Sequence, residues 1–120
     1  MIAIQTINLT KEFKSRTAVN SLNLSIEKGE LFALLGLNGA GKTTSIRMLV
    51  TYLPPSAGSA IVAGYDVVKE SDQIRKNIGY LPETPPLYGE MRVREYLSFV
   101  AQIKGVPSKL QKEKIDIAME

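Results

Sequence analysis

Gly36, Leu37, Asn38, Gly39, Ala40, Gly41, Lys42 and Thr43 fit the phosphate-binding pattern Gly-x-x-x-x-Gly-Lys-Ser/Thr at every fixed position. A polyphosphate carries several negative charges, so a chain that holds it must aim many donors at one place without stranding them when the site is empty. Glycine makes this possible. Without a Cβ, Gly36, Gly39 and Gly41 can take positive φ and bring backbone N–H groups close to the phosphate oxygens. Thr43, Thr44, Ser45 and Ile46 begin a predicted helix whose first N–H groups and dipole point at the same anion. Lys42 would set its ammonium on the β- and γ-phosphates, and the Thr43 hydroxyl would ligate Mg²⁺, which prefers hard oxygen ligands. The alternative is a glycine-rich turn that binds nothing. The apolar run Leu31–Leu35 before the loop, read as a buried strand, and the helix after it favour phosphate binding.

The neighbouring stretches must position that loop. Ile2, Ile4 and Ile7 to Leu9 give a β-like run, which the polar Thr10, Lys11 and Glu12 are expected to end in a loop. Phe13 stands in that loop among charged residues, either as an anchor to the body or as a platform for a flat ring such as adenine. Leu22, Leu24 and Ile26 alternate with Asn23 and Ser25, which predicts a strand with one buried face. Ile46, Leu49, Val50 and Leu53 recur at helical spacing until Pro54-Pro55. Ala60 to Ala63 reads as a short strand closed by Gly64, Val67 and Val68 as another strand or a loop rim, and Glu70 to Lys76 as a polar helix with Ile74 inward. Ile78 to Leu81 reads as a buried strand that enters Pro82-Glu83-Thr84-Pro85-Pro86, where the prolines exclude helix and central strand. Glu83 there could meet a metal ion or a partner, although a lone loop glutamate is more often solvated. Val93, Tyr96, Leu97, Val100 and Ile103 mark an amphipathic helix ended by Gly105 and Pro107, and Ser108 to Glu120 a further helix with a solvated lysine face.

The whole chain narrows the field. With 120 residues, 44% of them hydrophobic and 22% charged, it has the size and composition of one modest globular domain. No apolar run approaches the ~18 residues of a membrane span. Met1 to Leu9 alternates apolar and polar residues and so does not read as a leader, which makes a cytoplasmic location the expectation. The absence of cysteine and histidine removes disulfides, thiolate metal sites and imidazole chemistry. A net charge of +3, with Lys and Arg dispersed, argues against a nucleic-acid partner.

Taken together, these residues resemble the N-terminal half of the ATP-binding subunit of an ABC transporter, over nearly the whole chain. Gly36 to Thr44 is similar to that family's Walker A loop, Pro55-Ser56-Ala57-Gly58 with the following strand to its β-subdomain, Ile78 to Glu83 to the strand entering its Q-loop, and Val93 to Leu97 to the start of its helical subdomain. The resemblance implies an α/β fold of the P-loop NTPase, ABC-ATPase type, present in part. Residues 1–89 would be the β-subdomain and phosphate-loop core, and 90–120 the start of the helical subdomain. It also implies ATP and Mg²⁺ as ligands. Asn38, Gly39, Ala40, Gly41, Lys42, Thr43 and Thr44 would hold the nucleotide, with Phe13 stacked on adenine and Val19 along the adenine and ribose. Lys42 and Glu83 would take part in phosphoryl transfer, and Thr43 and Glu83 would face the metal.

Two positions depart from the family pattern. Glu83 stands where glutamine is most frequent, as it does in ATPases of the sodium-export and ABC-2 type, and it adds a negative charge near the γ-phosphate. Arg92 stands where a capping threonine is usual, and loss of such a cap costs ~1 kcal/mol unless another group takes over. The signature sequence, the Walker B acid pair and the switch histidine do not occur within the 120 residues, so the expectation is a piece of a longer subunit that binds nucleotide and turns over little of it. Without the strands that normally lie between Leu31–Leu35 and Ile78–Leu81, the parallel sheet would have a gap. The implied partners are a membrane permease subunit and a second ATP-binding subunit, at the inner face of the cell membrane. A non-hydrolytic nucleotide-binding assembly module, or another P-loop NTPase, is the alternative.

Overall fold

Two twelve-residue strands, β1 (Ile2–Phe13) and β2 (Arg16–Glu27), form an antiparallel hairpin that frames the first part of the chain. The computed structural model describes residues 1–120, which divide into two units, Met1–Tyr80 and Leu81–Glu120. The first unit continues with α1 (Lys42–Leu49), β3 (Ala57–Val62), β4 (Tyr65–Asp66) and α2 (Ser71–Asn77). The second holds α3 (Val93–Ile103) and α4 (Ser108–Met119). The sheet order is β2-β1-β3-β4, antiparallel throughout. No helix is long and apolar enough to cross a membrane.

The expected loop at Thr10 to Glu12 is instead strand. Lys11 pairs with Val19, Glu12 with Thr17 and Phe13 with Arg16, so pairing with β2 overrides the polar local sequence. Within the hairpin, Asn8 and Ser21 take positive φ of 48° and 51° at irregularities in the register. Such bulges break strict alternation, which is how the adjacent Leu9 and Thr10 are both buried. Side chains secure them: Thr6 Oγ1 donates to the Leu22 carbonyl at 2.9 Å and accepts from the Leu24 N–H at 2.8 Å, while Asn23 Oδ1 accepts from the Asn8 N–H at 2.9 Å.

Strands β3 and β4 are joined by Ala63-Gly64 with φ of 51° and 85°, the two positive values of a type I′ turn. Leu9, Val19, Met48, Ala60, Val62, Val67 and Ile74 form the core of this unit, with Leu49 and Leu53 packed against it. Ile74 is fully buried, as its place in a polar helix predicts, but Ile46 points outward and Ser45 and Met48 occupy the inner face of α1.

Leu31–Leu35 and Ile78–Leu81 are not strands. Neither pairs with any of the sheet's four strands, and a strand exists only where a neighbour takes its N–H and C=O groups. Leu31 is 100% exposed and Leu35 88%, in place of the expected burial, while Ile78 still packs partly against the core. The Pro82–Gly89 segment carries neither helix nor strand, as its prolines dictate.

In the second unit α3 ends in a Schellman arrangement. Gly105 has φ 74°, its N–H reaches the Gln102 carbonyl at 3.1 Å, and the Val106 N–H reaches the Ala101 carbonyl at 2.9 Å. Ala101 and Ile115 are the buried apolar residues of α3 and α4, and Arg94 bridges to Asp116 at 2.8 Å. At the start of α3, Arg92 has no acceptor to offer the helix. Glu95 Oε2 instead accepts from the Arg92 N–H at 2.8 Å, the returning half of a capping box.

Candidate phosphate-binding site

The glycine loop is a tight turn followed by a helix start. Ala40 N–H donates to the Leu37 carbonyl at 3.0 Å, and Gly39 and Gly41 take φ of 84° and 90°. Gly41 is the N-cap of α1 and supplies no side-chain cap, and the first turn contains no acidic residue. The first helical bond runs from the Ser45 N–H to the Gly41 carbonyl at 2.8 Å. The N–H groups of Lys42, Thr43 and Thr44 precede it, so they remain available to an anion, in a field that no carboxylate on that turn opposes. Ser45 also turns its hydroxyl back onto the Gly41 carbonyl at 2.8 Å, which satisfies a buried side chain and fixes the turn.

Two contacts give the loop its shape. Lys42 Nζ donates to the Gly36 carbonyl, so the ammonium is paired within the loop itself. Gly41 lies against β2, where a Cβ would overlap the Ala18 carbonyl and sit 3.2 Å from Val19 Cγ2. At Gly36 an added Cβ would come within 3.2 Å of the Ala40 Cβ and 3.6 Å of Lys42 Cδ, filling the ring that the loop encloses.

A polyphosphate fits this donor set: consecutive N–H groups, one ammonium, and glycines that keep the approach open. For Mg²⁺, no group of three or more His, Cys, Asp or Glu gathers to form a free-standing cation site. The donor available is the hydroxyl of Thr43, an exposed residue on the first turn, which suits a cation whose other ligands are phosphate oxygens and water.

Val19 is buried beneath the loop. Phe13 is 43% exposed at the end of β1, with Lys11 Nζ 5.5 Å from its ring centroid. It pairs with Arg16, about 10 Å along β2 from Val19 at the usual strand rise. Asn38 is exposed in the turn. Glu83 is exposed and belongs to the Leu81–Glu120 unit, whereas every other candidate lies in Met1–Tyr80. The roles of the Ser45 hydroxyl and of the Ala18 and Gly36 carbonyls escaped the sequence reading. Ser45 alone left a signal, four residues after Gly41 in a helix.

The family model described as ABC transporter matches residues 19–120. Phospholipid-transporting ATPase ABCA3 of Homo sapiens is 44% identical over 93 residues, covering 78% of this chain and 6% of the human protein. The probable multidrug ABC transporter ATP-binding protein YbhF of Escherichia coli is 38% identical over 112 residues, covering 93% of this chain and 19% of its own length. A solved structure described as the ATP-binding subunit of an ABC transporter superposes with a TM-score of 0.79 at 29% identity, over 89% of this chain and 45% of the other. The 120 residues thus span less than half of each of these relatives.

Proposed function

The chain belongs to the ABC transporter family, and from that premise we propose that Gly36 to Thr44 loads MgATP for an ATPase subunit that drives a membrane permease. The observation that carries this reading is the pairing of two left-handed glycines, Gly39 and Gly41, with an uncapped, acid-free first turn of α1. On binding, the ammonium of Lys42 exchanges the Gly36 carbonyl for phosphate oxygens, so its charge is paired in both states, and it offsets the charge that builds during phosphoryl transfer. The Thr43 hydroxyl would be among the ligands of Mg²⁺, whose charge would offset that of the phosphate oxygens. Asn38, Ala40 and Thr44 complete the phosphate cradle. Phe13 stacks on adenine, and Val19 supports the loop while flanking the base and ribose.

Glu83 senses the γ-phosphate and the metal and, with the loop to Gly89, passes their state to the permease. Its carboxylate, where the family's usual residue is glutamine, supports a parent of the ABC-2 or sodium-export type. The subunit works at the cytoplasmic face of the membrane, paired with a second ATP-binding subunit. The family's signature, Walker B and switch residues do not occur in these 120 residues, so the chain by itself binds ATP and hydrolyses it little or not at all.

The test is an equilibrium titration of MgATP and MgGTP into the chain and its Lys42→Ala variant, with released phosphate followed in the same samples. Saturable binding of ATP over GTP, lost in the variant, is the expected result. Equal affinity in the two proteins would remove Lys42 from the site, and a preference for GTP would turn the reading towards another P-loop NTPase.

A further inference from the structure

We propose that Asn38 is a site of spontaneous deamidation, and that MgATP guards it. The chain has five asparagines, and only Asn38 is followed by glycine. Asn8 and Asn23 precede Leu, Asn20 precedes Ser, and Asn77 precedes Ile. Deamidation begins when the backbone nitrogen of the next residue attacks the asparagine side-chain carbonyl carbon. A five-membered succinimide forms and ammonia leaves. Water then opens the ring at either carbonyl, giving aspartate or isoaspartate. In sum, one amide and one water become one acid and one ammonia, without an oxidant.

Three features of the structure suit Asn38 to this step. It is exposed, so water and base reach it. The turn is closed by the Ala40 N–H on the Leu37 carbonyl, a bond that does not occupy the Gly39 nitrogen. Nothing lies within 4 Å of where a Gly39 Cβ would be, so no neighbouring side chain crowds the residue that supplies the attacking nitrogen. Three of the other asparagines are more constrained: Asn8 and Asn23 are hydrogen-bonded to each other across the hairpin, and the Asn77 Nδ2 donates to the Gln73 carbonyl at 2.8 Å.

The consequence follows from where the residue stands. Aspartate places a negative charge in a loop built to attract anions, and isoaspartate adds a carbon to the main chain between Leu37 and Gly39, shifting every N–H after it. The guarding half of the proposal rests on the MgATP reading above, because a phosphate that engages the loop's N–H groups takes up the attacking nitrogen and holds the turn.

The experiment is incubation of the 120-residue chain in mildly alkaline buffer, alone, with saturating MgATP and with adenosine. Peptide mapping and an isoaspartate-specific methyltransferase assay then follow each asparagine, and Asn20 serves as the internal reference. Asn38 is expected to convert before all the others, on the order of tenfold faster than Asn20, because glycine offers the least obstruction to ring closure. MgATP is expected to slow it and adenosine is not. A Gly39→Ala variant slows conversion by adding a Cβ. Conversion at Asn38 no faster than at Asn20 overturns the site, and saturation with MgATP that leaves the rate unchanged overturns the guard. Fast conversion in a chain whose titration detects no ATP binding removes the nucleotide reading while the modification site stands.

Discussion

Gly41 is pressed so closely against Ala18 that a Cβ on the glycine would overlap the Ala18 carbonyl. Gly39 has nearly the same positive φ, 84° against 90°, but open space where its Cβ would lie. The pair separates two costs. Gly39→Ala pays only for the left-handed backbone, about 1–2 kcal/mol. Gly41→Ala pays that and must also push the loop off β2. The expected result in urea unfolding followed by circular dichroism is a clearly larger loss for Gly41→Ala. Equal losses would mean that the hairpin does not hold the loop.

Met48 and Leu35 should respond in opposite ways to substitution. Met48 is fully buried among Leu9, Val62 and Ile74, so Met48→Ala should cost about 2–5 kcal/mol. Leu35 is 88% exposed, and Leu35→Lys should change stability by no more than about 0.5 kcal/mol. Denaturant midpoints of the two variants decide the matter, and a large loss from Leu35→Lys would show that this segment is packed after all.

The Asp66 carboxylate accepts from the Lys69 and Val68 N–H groups, both at 2.9 Å, and these bonds hold its pKa below the usual 3.8. A carboxylate held below its unfolded value stabilises the fold above that value, and the benefit disappears as pH falls through the folded one. Asp66→Asn keeps an acceptor but cannot titrate. The stability advantage of the unmodified chain over this variant should be constant near neutrality and shrink below pH 3.8. An advantage that does not vary with pH would refute the linkage.

Glu95 takes over part of the capping that Arg92 cannot provide. Glu95→Ala should therefore cost about 0.5–1 kcal/mol, and Arg92→Thr should recover a similar amount by offering a hydroxyl to the first turn of α3. Thermal unfolding of the two variants tests both signs.

What the sequence made legible was local chemistry. The glycine spacing located the turn and the start of α1, alternation located the second half of β2 from Leu22 to Ile26, and apolar periodicity located α3. Where pairing or packing between distant residues decides the outcome, local pattern misleads. Thr10 to Glu12 read as a loop because they are polar, but Ala57 stands opposite Thr10, Val19 opposite Lys11 and Thr17 opposite Glu12, and these pairings make them strand. Leu31 to Leu35 read as a buried strand because they are apolar, yet no strand in this chain pairs with them. Hydrophobicity records a tendency to be covered, and only a neighbour can satisfy it. The Ala18 and Gly36 carbonyls were invisible for a similar reason, since they are main-chain groups that carry no residue identity.

The sheet order also demands chain closures of very different length. Two residues separate β1 from β2, so their hairpin needs only a short closure. The contact of Thr10 with Ala57 must instead enclose β2, the glycine loop and α1 in a single long excursion, and closing such a loop carries a greater entropy cost. Contacts of large sequence separation are slow to form. A chain emerging from synthesis would have its hairpin in place while α1 still lacked the β3 residues Ala60 and Val62 that share its core. Competence to hold a phosphate would then be one of the last properties this unit acquires, and a kinetic measurement would register it as a lag between the appearance of β-structure and the appearance of binding.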